Sequence, residues 1–377
     1  MGNSNKKPNG DLVNSEEKTE ERLQYTEDNI KDLLGRFGPV YFPSDVKDSI
    51  DDIIGNEVQK ELLDDFFKGL KKYEELKDQL IKAKLMPNLT ILLYGPPGTG
   101  KTTLTRAFAK EYGIPICVVE SNRLISPLLG DTIKSITRVV ELAADIANER
   151  GGFVLFFDEL DAVGSERSNI HEVGEIKRAV ISFLQVIDRI NYEGYPLAIV
   201  GATNHQHLLD SAIWRRFTFH LSFKFPDYHL RKLIIESFIK KVKKTKIGVD
   251  KSIQLRLDDE FKEIEAFVND LENKLGYKVA EFEGDIFWKE IKKNGKIDGL
   301  LKMTHGYTGS DIERGTEVAL FKIMHTELLT YDIFYQSLKL VGGTATHVER
   351  QDVLSNSRRI TKKNNEKKSK YNGPPEI

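Results

Sequence analysis

The sequence contains a single cysteine among 377 residues, Cys117, so no disulfide can form within the chain. This thiol lies in the apolar run IPICVV, a setting typical of a buried structural cysteine. No apolar run approaches the roughly 18 residues of a membrane-spanning helix. The first ten residues, MGNSNKKPNG, lack the apolar core of a signal peptide. These absences favour a cytoplasmic protein without a membrane span.

The chain also has little net charge, because its 58 acidic residues nearly balance its 56 basic ones. The formal charge of −2 gives no overall attraction to nucleic acid or to an anionic membrane. An apolar content of 40% with 30% charged residues is ordinary for a globular protein. The length allows one large domain and a smaller companion.

Five short apolar runs, TILLY, PICVV, FVLFF, LAIVGA and FHLSF, are separated by segments of helix length. Strands that alternate with helices predict an α/β fold whose mostly parallel sheet is covered by helices on both faces. After Pro226 the apolar spacing becomes helical, which predicts a smaller, all-helical domain.

We therefore expect four regions. They are a mostly disordered arm with a short amphipathic helix (1–40), a large α/β domain (41–225), a helical lid domain (226–340) and a basic disordered tail (341–377). The helix of the arm would place Leu23, Ile30, Leu33, Leu34 and Phe37 near one face. Packing on its own domain and docking of a partner are both open for this helix.

A glycine-rich loop follows the first run, because YGPPGTGKTTL fits Gly-x-x-x-x-Gly-Lys-Thr from Gly95 to Thr102 between a predicted strand and a predicted helix. Gly98 and Gly100 let backbone N–H groups approach phosphates, Lys101 neutralises their charge and Thr102 binds Mg²⁺. The pattern predicts a site for ATP and Mg²⁺. The predicted nucleotide contacts in this loop are Pro97, Gly98, Thr99, Gly100, Lys101, Thr102 and Thr103.

Polar residues follow two other predicted strands, at the carboxyl edge where ligands of such sheets bind. Asp158 is predicted to join Thr102 as a magnesium ligand, and Glu159 to take a proton from the attacking water. Asp161 would support the local turn. Asn204 ends the run LAIVGATN and would orient the water or contact the γ-phosphate, although a turn asparagine is the plain alternative.

Over residues 45 to 325 the sequence resembles the AAA branch of the AAA+ ATPases. Six motifs carry the resemblance, in the order of that family: DDIIGNEVQKELL, GPPGTGKTTL, FFDELDAV, GATN, LDSAIWRRFTFHLSFKFPD and GYTGSDIE. The resemblance implies that Ile53, Ile54 and Gly55 line an adenine site and that Asn204 senses the γ-phosphate. It also implies that Gly309 and Ser310 belong to a lid that closes over the nucleotide. The lid arginine of other AAA+ proteins is characteristically lacking in this branch.

Arg215 and Arg216 stand side by side with no acid in the stretch SAIWRRFTFHLSF. In the resembling proteins such a pair supplies arginine fingers, which reach ATP on the neighbouring subunit of a ring. We therefore expect both side chains to lack a partner within the chain, because their partner is ATP in trans. The alternative is a pair of surface arginines bonded to nearby carboxylates.

Three features depart from the family pattern. Trp214 stands where relatives often have a basic residue, so it either alters the finger position or packs between subunits. The pore loop reads Leu128, Leu129 and Gly130 without the usual aromatic residue, which weakens the case for threading of polypeptide. An insertion near 243–297 contains a helix pattern, Phe261, Ile264, Val268, Leu271 and Leu275, that ends at Gly276; it either elaborates the lid or docks a partner.

The sequence thus predicts an Mg-ATP hydrolysing homo-oligomer that remodels, unfolds or disassembles a protein substrate, and the resemblance implies that this oligomer is a hexameric ring. An assembly scaffold or switch that recruits an effector without threading is the alternative. A nucleic-acid motor rests on the basic tail alone and is the least favoured. His205 and His207 have no clustered third ligand in the sequence, so we interpret them as loop residues.

Overall fold

A six-stranded sheet forms the centre of the larger part of the molecule. The computed structural model describes residues 25–124, 131–161, 170–282, 287, 290–291 and 297–344. The strands are β1 (Val40–Tyr41), β2 (Thr90–Tyr94), β3 (Ile116–Val119), β4 (Phe153–Phe157), β5 (Leu197–Thr203) and β6 (Phe219–Ser222). Their order is β1-β3-β4-β5-β2-β6, and all neighbours are parallel except β1, which runs antiparallel to β3. The predicted parallel sheet is confirmed, and the short edge strand β1 is an addition to it.

Helices cover both faces of this sheet, as predicted. They are α1 (Glu27–Gly35), α2 (Glu57–Ala83), α3 (Lys101–Glu111), α4 (Ser121–Leu124), α5 (Asp131–Arg150), α6 (Ile170–Glu193) and α7 (Ser211–Trp214). One apolar core joins α1, α5 and α6 to the sheet, and a second joins α2 and α3 to its opposite face. Every residue of β4 and β5 is buried, because a parallel strand between two helical layers is covered on both faces.

The first helix packs on its own domain. Ile30 and Leu34 are fully buried, and Phe37 joins them in the core that contains α5. Leu33, by contrast, is exposed. Thr26 begins the helix, because its side-chain oxygen accepts a hydrogen bond from the Asn29 N–H. The buried face leaves no docking surface on Ile30 and Leu34.

A third apolar core lies beyond Pro226 and belongs to the lid. Its elements are α8 (Tyr228–Lys243), β7 (Gly248–Val249), α9 (Lys251–Leu275), α10 (Leu300–Met303), α11 (Gly309–Thr326), β8 (Leu328–Leu329) and α12 (Tyr331–Val341). The lid is therefore helical, apart from a two-residue parallel pairing of β7 with β8. The proposed domain boundaries stay predictions.

The insertion in the lid contributes the long helix α9, which ends at Gly276 with φ of +77° as its pattern predicted. Ile264 and Val268 from this helix are buried in the lid core. Phe261 is partly buried against that core, whereas Leu275 is exposed. The insertion is therefore a structural part of the lid.

Several predicted features lie outside the described residues. They are Leu23, the pore-loop residues Leu128, Leu129 and Gly130, and most of the basic tail. Among the helices that the structure describes, none combines the length and the apolar character needed to cross a bilayer.

Candidate nucleotide-binding site

The glycine-rich loop runs from the end of β2 to the start of α3, at the carboxyl edge of the sheet. Gly98 and Gly100 have φ angles of +73° and +95°, in the left-handed region that favours glycine. A Cβ atom on Gly98 would lie 2.7 Å from Thr308 Oγ1 and 3.0 Å from Ser310 Cβ. Gly98 is thus needed both for its backbone angle and for the close approach of the lid.

Lys101, the first residue of α3, is almost fully buried, with 7% of its surface exposed. Its Nζ donates to the carbonyl oxygens of Gly95 and Pro96 and to Asn204 Oδ1, each at 2.8 Å. Burial lowers the pKa of this ammonium to about 8, against the opposing effect of Asp158 and Asp161. A phosphate group beside Nζ would favour the charged form, so the site has a cation prepared for an anionic ligand.

Thr102 at the end of the glycine motif lies close to Asp158, which follows β4. Thr102 Oγ1 lies 3.5 Å from Asp158 Oδ2. One hydroxyl and one carboxylate oxygen fit Mg²⁺, which prefers oxygen ligands and usually keeps phosphate and water in its remaining positions. No group of three or more His, Cys, Asp or Glu side chains in the described part of the chain is arranged to hold a metal by itself. The donor set therefore suits an ion that arrives with a nucleotide.

Glu159 follows directly and has a φ of +51°, which is uncommon for a residue with a side chain. Its N–H donates to Asp158 Oδ1 at 3.0 Å. The Ser121 hydroxyl lies within hydrogen-bonding distance of the carbonyl oxygens of Asp158 and Glu159, at 2.6 and 3.1 Å. These bonds hold a strained backbone that presents the exposed Glu159 side chain beside Thr102 and Asp158, the predicted magnesium ligands.

Asn204 directly follows β5, and Asp161, which follows β4, contacts the same end of β5. The Thr203 hydroxyl donates to Asp161 Oδ1 at 2.7 Å and accepts from the His205 N–H at 3.0 Å. Asp161 therefore supports the turn that carries Asn204, at the end of a different strand, and its predicted support of its own local turn stays a prediction. Asn204 Oδ1 contacts Lys101, so the predicted sensor, lysine and Mg²⁺ ligands share one small region.

A cavity of about 700 Å³ lies between the glycine loop and the lid. Ile53 and Ile54 line it on the large domain, and so do Gly98, Thr99, Gly100 and Thr103 of the loop. That this cavity receives adenine stays a prediction. Gly55 does not line the cavity, and its φ of +82° instead turns the chain toward α2. Pro97, Lys101 and Thr102 are not among its lining residues.

The lid closes the other side of the cavity with Gly309 and Ser310. The Ser310 N–H donates to the Gly98 carbonyl oxygen at 3.2 Å. Thr308 begins α11 with a capping box, in which its hydroxyl accepts from the Asp311 N–H and Asp311 accepts from its N–H. Burial acts to raise the pKa of Asp311, but its hydrogen bonds to Thr308, Thr344 and Arg314 outweigh that effect and lower it. The lid turn is thus firmly built where it meets the loop.

Two residues at this site were missed by sequence reasoning. Asn56 has a φ of +60°, and its Nδ2 donates to the Thr99 carbonyl oxygen at 3.3 Å. Thr308 contacts the glycine loop from the lid. An asparagine directly before a helical pattern, and the order Thr-Gly-Ser-Asp at the start of another, are the signals that could have found them.

Arg215 and Arg216 differ in whether they have a partner in the described part of the chain. Arg216 pairs with Asp188 of α6 at 2.9 Å, so the expectation that both arginines lack a partner in the chain is wrong for Arg216. The two side chains are 41% and 51% exposed, and such a surface pair forms at little gain in free energy. Arg215 is exposed and has no ion pair with any residue that the structure describes. Its role as a finger stays a prediction.

The backbone around the pair is fixed on β2, the strand that leads to the glycine loop. The buried Thr90 hydroxyl lies 3.0 Å from the Arg216 carbonyl oxygen and accepts from the Thr218 N–H at 3.0 Å. Trp214 stacks on His220 at 4.4 Å and contacts the Tyr94 ring at 5.3 Å. The tryptophan therefore packs within its own chain beside the arginines.

Comparison with known proteins agrees with this geometry. The family model described as "ATPase family associated with various cellular activities (AAA)" matches residues 91–225. A putative 26S proteasome regulatory subunit homolog of Methanothermobacter thermautotrophicus is 31% identical over 258 residues, which are 67% of this chain and 66% of that protein. The chain spans about half to two thirds of the length of this and similar curated relatives.

Two solved structures share the fold. The FIGL-1 AAA domain in complex with ADP has a TM-score of 0.55 at 19% identity, with coverage of 89% of this chain and 98% of that one. A chain of the Escherichia coli MS115-1 HORMA:CdnC:Trip13 complex has a TM-score of 0.57 at 18% identity, with coverage of 82% and 97%. The family model, the relatives and the arrangement of the loop residues together show that this chain belongs to the AAA family of ATPases.

Proposed function

We propose that this protein hydrolyses Mg-ATP as a hexameric ring and uses the reaction to remodel, unfold or disassemble a protein substrate. The observation that carries the catalytic part is the convergence of Lys101, Asn204, Thr102 and Asp158, which come from the glycine loop and from the ends of β4 and β5. A glycine turn with only a structural role would not need a buried lysine bonded to an amide at the end of another strand.

Each residue has a role that its position supports. Lys101 would exchange its carbonyl partners for phosphate oxygens, and Thr102 with Asp158 would hold Mg²⁺, whose charge neutralises the phosphates. Glu159 would take a proton from the attacking water, and Asn204 would orient that water or contact the γ-phosphate. Ile53 and Ile54 would contact adenine from the apolar side of the cavity.

The ring and the protein substrate rest on two kinds of support. Arg215 is an exposed cation close in sequence to a strand of the catalytic sheet, as a finger acting on a neighbouring subunit requires. Among the similar proteins, one carries the name of a proteasome regulatory subunit homolog, and another was solved in a HORMA:CdnC:Trip13 complex. Assembly with other proteins is the common element of those names.

A scaffold or switch that recruits an effector is the second candidate. The observation that favours it is the loop Leu128-Leu129-Gly130, which lacks the aromatic residue that grips polypeptide in many relatives. Replacement of Leu128 by Ala distinguishes the two candidates in cells. Threading predicts loss of function, and a switch predicts that function is kept.

The experiment that tests the catalytic proposal mixes two inactive variants and follows phosphate release. Glu159→Gln keeps the finger and lacks the base, whereas Arg215→Ala keeps the base and lacks the finger. Random mixing of equal amounts in a ring completes about one quarter of the sites, so we expect about a quarter of the native rate. Arg216→Ala is the matched control, because its partner Asp188 lies in the same chain.

Recovery of activity on mixing would show that each site is built from two chains. If light scattering demonstrates mixed oligomers and no activity returns, the finger role of Arg215 and the ring mechanism must be abandoned. If the native protein releases no phosphate but binds ADP, the switch becomes the better account.

A further inference from the structure

The lid insertion makes contact with the hinge between the large domain and the lid. The hinge is residues 223–227, between the end of β6 and the start of α8. After α9 ends at Gly276, residues 278–282 return to this hinge, and we name them the strap. Glu272 fixes the beginning of the strap, because its carboxylate accepts from the Val279 N–H and pairs with Lys278, both at 2.9 Å.

Glu281 of the strap is held by three groups of the lid. Its Oε2 accepts from the Tyr228 N–H at 2.6 Å, at the first residue of α8. Its Oε1 contacts Arg231 Nη1 at 2.9 Å and His305 Nδ1 at 2.8 Å. The side chains of Arg231 and Glu281 are each 1% exposed, so this ion pair lies in the interior, where loss of one partner would leave a buried charge.

Arg231 extends the contact in two further directions. Its Nη1 also donates to the Pro226 carbonyl oxygen of the hinge at 2.8 Å, and its Nη2 donates to the Leu301 carbonyl oxygen of α10 at 2.9 Å. One guanidinium thus connects the hinge, the strap and α10. No motif of the nucleotide site requires this arginine.

Phe282 completes the contact with its ring. It stacks on His305 at 5.0 Å with an angle of 10°, and it contacts the Phe225 ring of the hinge at 5.6 Å. Such aromatic pairs add to the free energy gained from burial alone. The strap therefore joins hinge residue Phe225 to the turn that follows α10.

The turn after α10 is the one that contacts the glycine loop. His305 lies three residues before Thr308, and the Ser310 N–H donates to the Gly98 carbonyl oxygen. The insertion also holds the other end of α10, because Glu260 of α9 accepts from the Leu301 and Lys302 N–H groups at 2.9 and 2.8 Å. Both ends of α10, the short helix before the turn that contacts the glycine loop, are thus in contact with the insertion.

We propose that the strap sets the angle of the lid over the nucleotide, with Glu281 and Phe282 as positioning residues that slow the release of ADP. This inference rests on the proposed nucleotide function. When a binding-competent conformation becomes a smaller fraction of the population, the apparent affinity falls by the same factor. Weakening the strap should therefore lower nucleotide affinity without any change at the glycine loop.

The lid angle itself is measured with two spin labels, on Lys68→Cys of α2 and Lys322→Cys of α11. Both positions are exposed, and the native Cys117 is fully buried with its thiol pKa raised by burial to about 12, so it does not compete for the label. The native chain is expected to give a narrow distance distribution. Phe282→Ala and Glu281→Gln are expected to broaden or shift it, with and without ADP.

The same variants, without labels, are tested for release of a fluorescent ADP analogue. We expect release at least about tenfold faster for Phe282→Ala and restoration toward the native rate by Phe282→Tyr. Lys274→Ala is the control, since it changes an exposed residue of the insertion that pairs only with Asp270 among the described residues. Circular dichroism checks that each variant is folded. If Phe282→Ala does not fold, Phe282→Leu replaces it, because leucine keeps an apolar side chain and removes only the ring that stacks on His305.

The results separate the strap from the nucleotide function. Distance distributions like those of the native chain, with ADP release within about twofold for folded variants, would overturn the role of the strap. Equal ADP binding by the native chain and by Lys101→Ala would instead contradict the nucleotide site. The label distances measured without ADP would then decide on the strap alone.

Discussion

The glycine loop and the lid strap both contact a buried basic side chain, but the two are held in different ways. Lys101 bonds two carbonyl oxygens five and six residues away, and one amide on a neighbouring strand. Arg231 bonds the hinge at a separation of five residues, but also Glu281 and Leu301, which are 50 and 70 residues away. The first arrangement is mainly local, whereas the second depends on the fold of the whole lid.

The difference shows what each region is suited to do. The carbonyl partners of Lys101 are neutral, so a phosphate can replace them and stabilise the charged form of the ammonium. The carboxylate partner of Arg231 already neutralises it in the interior, and its loss would be costly. The loop is therefore prepared to exchange partners with a ligand, and the strap to keep its partners.

The largest effect that tests this comparison is expected from Gly98→Ala. The new Cβ would lie 2.7 Å from Thr308 Oγ1, which caps α11, and the φ of +73° disfavours any side chain. The lid turn must move away, so we expect ADP affinity to fall at least about tenfold. Gly113→Ala is the control, because Gly113 also has a positive φ of +68° but open space around it. Calorimetric titration with ADP compares the two.

A similar loss in both variants would mean that backbone strain alone weakens the protein. In that case the contact between lid and loop would not contribute to binding. We expect Gly113→Ala to lower thermal stability slightly and to bind ADP as the native chain does.

The same contrast explains how much the sequence could predict. Strands β2 to β6 were predicted because each is a short apolar run, and the glycine loop because its roles need fixed residues at fixed spacing. The two-residue strands β1, β7 and β8 are too short to give a pattern. Their pairing depends on tertiary contacts.

Polar contacts across long separations were likewise not predictable. Asp188 lies 28 residues before Arg216, and nothing in either segment marks them as partners. Glu281 lies in a stretch without a helix or strand pattern, although it forms the buried pair of the lid. Asn56 could have been noted before α2, but its bond to Thr99 depends on the fold. Short motifs indicate a site, and the fold determines how that site is supported.

Ile264→Ala in the insertion helix is expected to affect the stability of the lid rather than the binding of ADP. Ile264 is 2% exposed in the lid core, so its loss should lower the free energy of unfolding by about 2–5 kcal/mol. Leu255→Ala on the same helix is the control, because Leu255 is 64% exposed. Chemical denaturation followed by circular dichroism measures both. Equal, small effects would show that the insertion is an appendage on the lid.

The smallest effect is expected from Asp188→Ala, which removes the partner of Arg216 at the surface. Both side chains are about half exposed, so the free energy of unfolding should change by less than about 1 kcal/mol. The Thr90 hydroxyl still holds the Arg216 carbonyl oxygen, so the backbone of the pair should keep its place.

Asp210→Ala is the comparison, since Asp210 caps α7 by accepting from the Ala212 N–H at 2.6 Å, and a lost cap costs about 1 kcal/mol. The rate of phosphate release should therefore fall more in Asp210→Ala, which loses the cap, than in Asp188→Ala, which loses the ion pair. A larger loss of ATPase activity in Asp188→Ala than in Asp210→Ala would mean that Arg216, through Asp188, contributes to the finger, and that a surface pair can matter as much as the buried ones.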